Sequence, residues 1–209
     1  MALLSIGSDP KTVKGQKLGY MTAILYMSPA KLSGTNLCVF SNLAGCEPTC
    51  LFYAGRGAMN ATQSARLARA TLFNSDRVLF MATLIIELKA FVKKAKKLNL
   101  IPVVRLNGTT DIAYENIYDD EKQTIFSQFP ELQFYDYTKN VRRFDRELPA
   151  NYFLVLSYSG SHQRYRDMCL DVMMKHPDVN VAVVADTLPD VYLGRPVIAG
   201  DDSDLRFLD

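Results

Sequence analysis

Short apolar runs recur along this chain, and each is followed by polar residues. Six stand out: L-G-Y-M-T-A-I-L-Y-M over Leu18–Met27, L-I-P-V-V-R-L from Leu100, L-Q-F-Y-D-Y from Leu132, Y-F-L-V-L-S-Y from Tyr152, V-N-V-A-V-V-A-D from Val179 and P-V-I-A-G from Pro196. A strand that is apolar nearly throughout has both faces covered, and helical segments between such strands predict a mostly parallel sheet. Helices are expected over Ala61–Phe73, Arg77–Leu98, Asp120–Phe129 and His162–Lys175, with Thr138–Pro149 only partly helical. The second of these carries Leu79, Phe80, Leu84, Leu88, Phe91 and Val92 at helical spacing, Ser75 or Asp76 as a cap, and K-K-A-K-K at its negative C-terminal end. The fold class is therefore α/β. A complete eight-fold barrel takes about 250 residues, so 209 residues predict a partial (β/α) barrel rather than a closed one. The chain reads as one domain over 1–209, with residues 1–17 a loose N-terminal arm.

The polar residues that follow the runs matter for function, because sites in α/β sheets form at the carboxyl ends of strands. Here those residues are Arg105, Asn107, Thr110 and Asp111, then Asp136 and Lys139, then Ser157, Ser159 and Ser161, then Asp186, then Asp201, Asp202 and Asp204. Arg105 stands inside an apolar run, where an unpaired charge is costly. Asp136 or Asp111 is its expected partner. Asp111, Asp136 and Lys139 are the candidate acid–base groups. Arg105, Asn107, Thr110, Ser157 and Asp201 are candidates for holding substrate. Carboxylates at 111, 186, 201, 202 and 204 suit a hard cation such as Mg²⁺, although an acidic turn in solvent has the same composition.

Three of the four cysteines, Cys38, Cys46 and Cys50, fall in one segment after the first apolar run. No run is long enough to span a bilayer, and the N-terminus lacks a basic start and a long apolar core. A reducing, cytoplasmic setting follows as the default, and there clustered cysteines favour metal or redox roles over disulfides. Three thiolates suit an iron–sulfur cluster or zinc; three small buried residues are the structural alternative. Gly55-Arg56-Gly57 follows, just before a helix start, and Arg56 there is a candidate phosphate contact.

Other chemistries are disfavoured. The chain has two histidines, His162 and His176, with no H-x-H pair, and no G-x-S-x-G elbow. A net charge of +2 gives no global argument for nucleic acid. K-K-A-K-K and V-R-R-F-D-R are local basic patches that suit DNA or RNA, or simply solvated helix ends.

The segment C-E-P-T-C-L-F-Y resembles in part the cluster-binding loop of radical S-adenosylmethionine enzymes, C-x-x-x-C-x-x-C after the first strand of a partial barrel. Cys46 and Cys50 match its first two positions, and Tyr53 stands at the third. A wider resemblance rests on K-G-Q-K-L-G-Y-M-T-A-I-L-Y, G-C-E-P-T-C-L-F-Y-A-G-R-G, V-V-R-L-N-G-T-T-D-I, F-Y-D-Y-T-K and G-D-D-S-D-L-R-F-L-D. These phrases are similar to the gene product 88 family of bacterial viruses. That resemblance implies a viral origin, a role in the cytoplasm of an infected bacterium, and a chain that ends earlier than its relatives. The combined expectation is an enzyme acting on a nucleotide or nucleic acid, assisted by a cysteine-bound metal or cluster. The alternative is a non-catalytic protein that binds DNA or a host factor.

Overall fold

The structure is a computed structural model that describes residues 1–7 and 10–209. In chain order its elements are β1 (Leu4–Ile6), α1 (Pro10–Lys17), β2 (Tyr20–Leu25), α2 (Asn60–Ser75), α3 (Arg77–Lys97), β3 (Ile101–Arg105), α4 (Ile125–Gln128), β4 (Gln133–Thr138), β5 (Tyr152–Ser157), α5 (Gln163–Lys175), β6 (Val181–Ala182), β7 (Val191–Tyr192) and β8 (Arg195–Pro196). Strands β1 to β6 form one sheet in sequential order. β1 runs antiparallel to β2, and every later neighbour is parallel. A sheet that advances strand by strand in one direction is wound like a (β/α) barrel. Here it stays open, with β1 and β6 as its edges.

Side chains alternate across a strand, and both faces of this sheet are covered. On one face Ala23, Leu25, Val104, Phe134, Leu154 and Leu156 pack with Phe73 of α2, with Phe80, Leu84, Leu88 and Phe91 of α3, and with Tyr165 and Cys169 of α5. On the other, Val103 and Tyr135 pack with Leu205, joined by Tyr20, Phe153 and Phe207. The segment that follows the last hairpin therefore fills the second face. α1 lies beside it: a Cβ added at Gly15 would sit 3.7 Å from Leu205 Cδ1.

Local chemistry sets the element ends. Asp76 caps α3 by accepting from Leu79 N at 2.9 Å. Phe80, Leu84, Leu88, Phe91 and Ala95 form the buried stripe of α3, while Leu79, expected on that stripe, is exposed. The helix expected over 120–129 shrinks to α4. The Asp119 carboxylate accepts from Glu121 N and Gln123 N, holding a turn in place of a helical start, and α4 begins only at the Thr124–Ser127 capping box.

The N-terminal expectation also changes. Residues 1–17 are not a loose arm where the structure describes them: they contain β1 and α1, and the part of the expectation on residues 8–9 lies outside the described residues. Leu3 and Leu4 are buried. Both backbone amides donate to the Glu87 carboxylate at 2.8 Å, which ties the sheet edge to α3. The run from Val179 contributes only the two residues of β6, and Val184 is fully exposed. The run at Pro196 joins no main strand: Arg195–Pro196 pairs with Val191–Tyr192 across a Leu193-Gly194 turn with positive φ at both positions.

Candidate functional site

The carboxyl end of β3 is built around Asn107. Its side-chain oxygen accepts from Ile112 N and Thr110 Oγ1, and its amide donates to Ile112 O and Asp136 Oδ2. Every polar atom of that side chain is thus engaged in shaping the loop. Asp136 is wholly buried and accepts from Asn107 N at 2.8 Å and from Tyr152 OH at 3.0 Å. Burial pushes its carboxyl up to about 6, against the opposing pull of Arg105 and the Asn107 amide.

Asp111 is equally occupied. It accepts from Thr138 Oγ1 at 2.7 Å, Lys139 N at 2.8 Å and Asn140 N at 3.0 Å, and it pairs with Arg143 at 3.1 Å. Arg143 also binds Glu115 at 2.8 Å. This network joins the ends of β3 and β4. Asn107, Thr110, Asp111 and Asp136 are brought together as a scaffold whose donors and acceptors serve one another.

Arg105 is paired, but with neither expected partner. It points to the opposite sheet face and meets Asp204 at 2.8 Å, with Tyr135 OH and Tyr137 OH also bonding that carboxylate. The strand's two-residue period explains this: Val104 faces the helices, so Arg105 and Val103 face the terminal segment. Asp201 is exposed and belongs to the same side; its backbone oxygen accepts from Lys14 Nζ at 2.7 Å. Arg105 and Asp201 are therefore separated from the strand-end group by the sheet.

The cysteine segment folds over the strand ends. Asp111 N donates to Leu37 O, Thr109 Oγ1 to Met27 O, and Ser161 Oγ to Ala44 O. All four cysteines are free thiols. Cys38, Cys46 and Cys50 lie within electrostatic range of one another. Burial pushes the Cys38 thiol up to about 12, and Asp111 and the other two thiols add to the rise. Burial raises Cys46 as well, with the Lys139 charge pulling against it. It also raises Cys50, opposed by a hydrogen bond from Phe52 N and by the charge of Arg66.

Lys139 is the cation beside Cys46. Its Nζ donates to Ser157 O at 2.9 Å and Tyr158 O at 3.2 Å, and it lies over the Tyr165 ring. Burial lowers its pKa. Ser157 thus contributes a backbone oxygen, which also accepts from Tyr165 OH.

Arg56 is exposed, on the 3-10 turn Gly55–Ala58 rather than on the first turn of α2. Gly57 in that turn is a packing requirement: a Cβ there would fall 2.3 Å from Leu51 O. Tyr53, at the third position of the cysteine motif, is exposed and packs edge-on against Phe52.

Sequence reasoning passed over Arg66. It lies on the buried face of α2 with Ala70 and Phe73. A charged residue on an apolar helical stripe is a readable signal, and it was there to be found at the spacing 66, 70, 73. The guanidinium stands over the Tyr26 ring at 4.7 Å and nearer the edge of Phe52's reach at 5.9 Å. Tyr26 in turn lies against Gly108, where a Cβ would fall 2.5 Å from the ring.

As donors the three thiols suit a thiophilic ion. Among the described residues, however, no group of three or more His, Cys, Asp or Glu side chains is arranged around a common centre as a metal would require. The expected magnesium carboxylates are dispersed: Asp111 serves Arg143 and Asp204 serves Arg105. Among the described residues, no helix is long and apolar enough to cross a membrane.

The fold and site define a class: an open, sequentially wound α/β protein whose strand ends are roofed by a cysteine-bearing loop. The chain belongs to the phage gene product 88 family, whose model matches residues 2–209. Neither the curated proteins nor the solved structures contain a match to it.

Proposed function

We propose that this gene product 88 protein is an enzyme acting on a nucleotide or nucleic acid in the cytoplasm of an infected bacterium. Its substrate lies at the carboxyl ends of β3, β4 and β5 beneath the cysteine loop. Cys38, Cys46 and Cys50 hold an iron–sulfur cluster or zinc there once the loop draws their sulfurs together. The observation that carries this reading is that the three thiols lie within electrostatic range of one another, with the half-buried Lys139 beside Cys46 over the strand ends. Lys139 supplies positive charge for a phosphate. Asn107, Thr110, Asp111 and Asp136 keep the loops that frame the site in place.

Metal and sulfide analysis of protein purified without oxygen tests the reading. Iron with inorganic sulfide supports a cluster, zinc near one equivalent supports a zinc centre, and protein without either removes the metal from the proposal. Cys46→Ser is expected to lose the metal; full retention would remove Cys46 from the ligand set.

A second reading has its own support. Val39, Leu51, Tyr53 and Met59 are large side chains exposed on the same segment. A non-catalytic protein that docks DNA or a host factor through this loop, with the cysteines structural, would present such a surface. Unchanged host or DNA binding after Leu51→Ser and Tyr53→Ser would count against it.

A further inference from the structure

Among the described residues four arginines are largely withdrawn from water, and three have acidic partners. Arg143 has Asp111 and Glu115, Arg105 has Asp204, and Arg206 has Asp209. Arg66 is 8% exposed, and among the described residues it has no carboxylate in salt-bridge range. Its Nε and Nη1 are fully enclosed and make no hydrogen bond. A guanidinium carries its donors in a fixed fork matched to an oxyanion, and leaving them unused in a buried site is costly.

The surroundings say what these donors face. Tyr26, from the end of β2, and Phe52 hold the guanidinium by their rings. The Gly55–Ala58 turn runs against its edge: a Cβ on Gly57 would lie 3.2 Å from Nη1. Leu51, Tyr53 and Met59 on this stretch turn outward to solvent. The Gly55–Ala58 turn that shields the donors buries no side chain of its own, whereas Phe52, just before it, is anchored in the core.

We infer that Arg66 is the oxyanion-binding residue of the strand-end site, receiving a phosphate group of the substrate when the Gly55–Ala58 turn moves off it. This rests on the strand ends being the substrate site, and it adds the group that recognises the substrate's charge. Tyr26 and Phe52 fix the plane of the fork. Arg56, exposed on the moving turn, is outside the subsite.

Titration of metal-free protein with inorganic phosphate and with nucleoside 5′-monophosphates, followed by calorimetry, tests the inference independently of metal content. Wild type binds, Arg66→Met weakens binding at least about tenfold, Arg66→Lys keeps part of it, and Arg56→Gln leaves it unchanged. Thermal unfolding supplies the second readout. Removing an unpaired buried charge is expected to raise Tm by about 2–4 °C, so lost binding together with a maintained or raised Tm supports the site. Equal phosphate binding by wild type and Arg66→Met overturns the inference, as does absence of binding by wild type. A lowered Tm in Arg66→Met overturns it too, since that marks Arg66 as structural. Protein that purifies without iron or zinc and still binds phosphate would leave the inference standing while the metal reading falls.

Discussion

Arg143 and Arg66 are buried to nearly the same degree, 4% and 8% exposed, in two regions that meet at the strand ends. Arg143 is enclosed by Asp111, Glu115 and Tyr152 OH, the last at 2.7 Å. Arg66 is enclosed by rings and a glycine turn, with two donors idle. The difference separates a self-satisfied frame from a guanidinium that no acid closes. In the Arg143 region the charges satisfy one another and tie the loops that follow β3 and β4 together. In the Arg66 region the guanidinium meets no carboxylate among the described residues, the three thiols bond only backbone groups, and Leu51, Tyr53 and Met59 nearby are exposed.

Breaking the frame should have the largest effect. Arg143→Met leaves Asp111 and Glu115 buried without their counter-charge, and a loss of about 3–5 kcal/mol is expected in urea unfolding. A loss below about 1 kcal/mol would erase the contrast between the two regions.

Asp136 tests the same frame through pH. Burial raises its folded pKa from the ordinary 3.8 to about 6. A raised carboxyl binds its proton more tightly in the folded state, so its contribution is fully present below about pH 4 and is lost as pH rises through 6. The shift corresponds to about 2–3 kcal/mol at most. Asp136→Asn should remove that slope, so the stability gap between wild type and variant should shrink from pH 4 to pH 7. A gap constant across that window would show that Asp136 does not titrate there.

The smallest effect sharpens the other side of the comparison. Arg56→Gln changes an exposed arginine on the cysteine loop. Its unfolding free energy should stay within about 0.5 kcal/mol of wild type. A larger change would mean that the Gly55–Ala58 turn is part of the frame.

The sheet was legible because β2 to β5 are apolar on both faces, and α3 because its stripe and Asp76 cap are both local signals. α4 was overread: the Asp119 turn that stops it depends on one side chain reaching back to two amides. β6 was overread for a different reason. Val183 and Val184 look like strand residues, but nothing covers them beyond the sheet edge. The clustering of Asn107, Thr110, Asp111 and Asp136 followed from the strand-end rule. Their mutual saturation did not, because hydrogen-bond partners 29 residues apart leave no trace in spacing. Arg105 was rightly suspected of needing an acid. The acid lies 99 residues away, on a segment whose course the local pattern does not reveal. Arg66 shows the converse failure. Its signal is local, a cation on an apolar helical face, but it lies beside the more conspicuous cysteines and the glycine-flanked Arg56.

The order of the strands also governs how the molecule is assembled. Each parallel strand pairs with its predecessor, so the sheet grows by closures between neighbouring units. The covering of the second face is different: Lys14 reaches Asp201 across 187 residues, and Arg105 reaches Asp204 across 99. Contacts between distant parts of a chain pay their closure entropy before they return anything. The face lined by Val103 and Tyr135 is thus closed by pairings of high sequence separation rather than by neighbouring units.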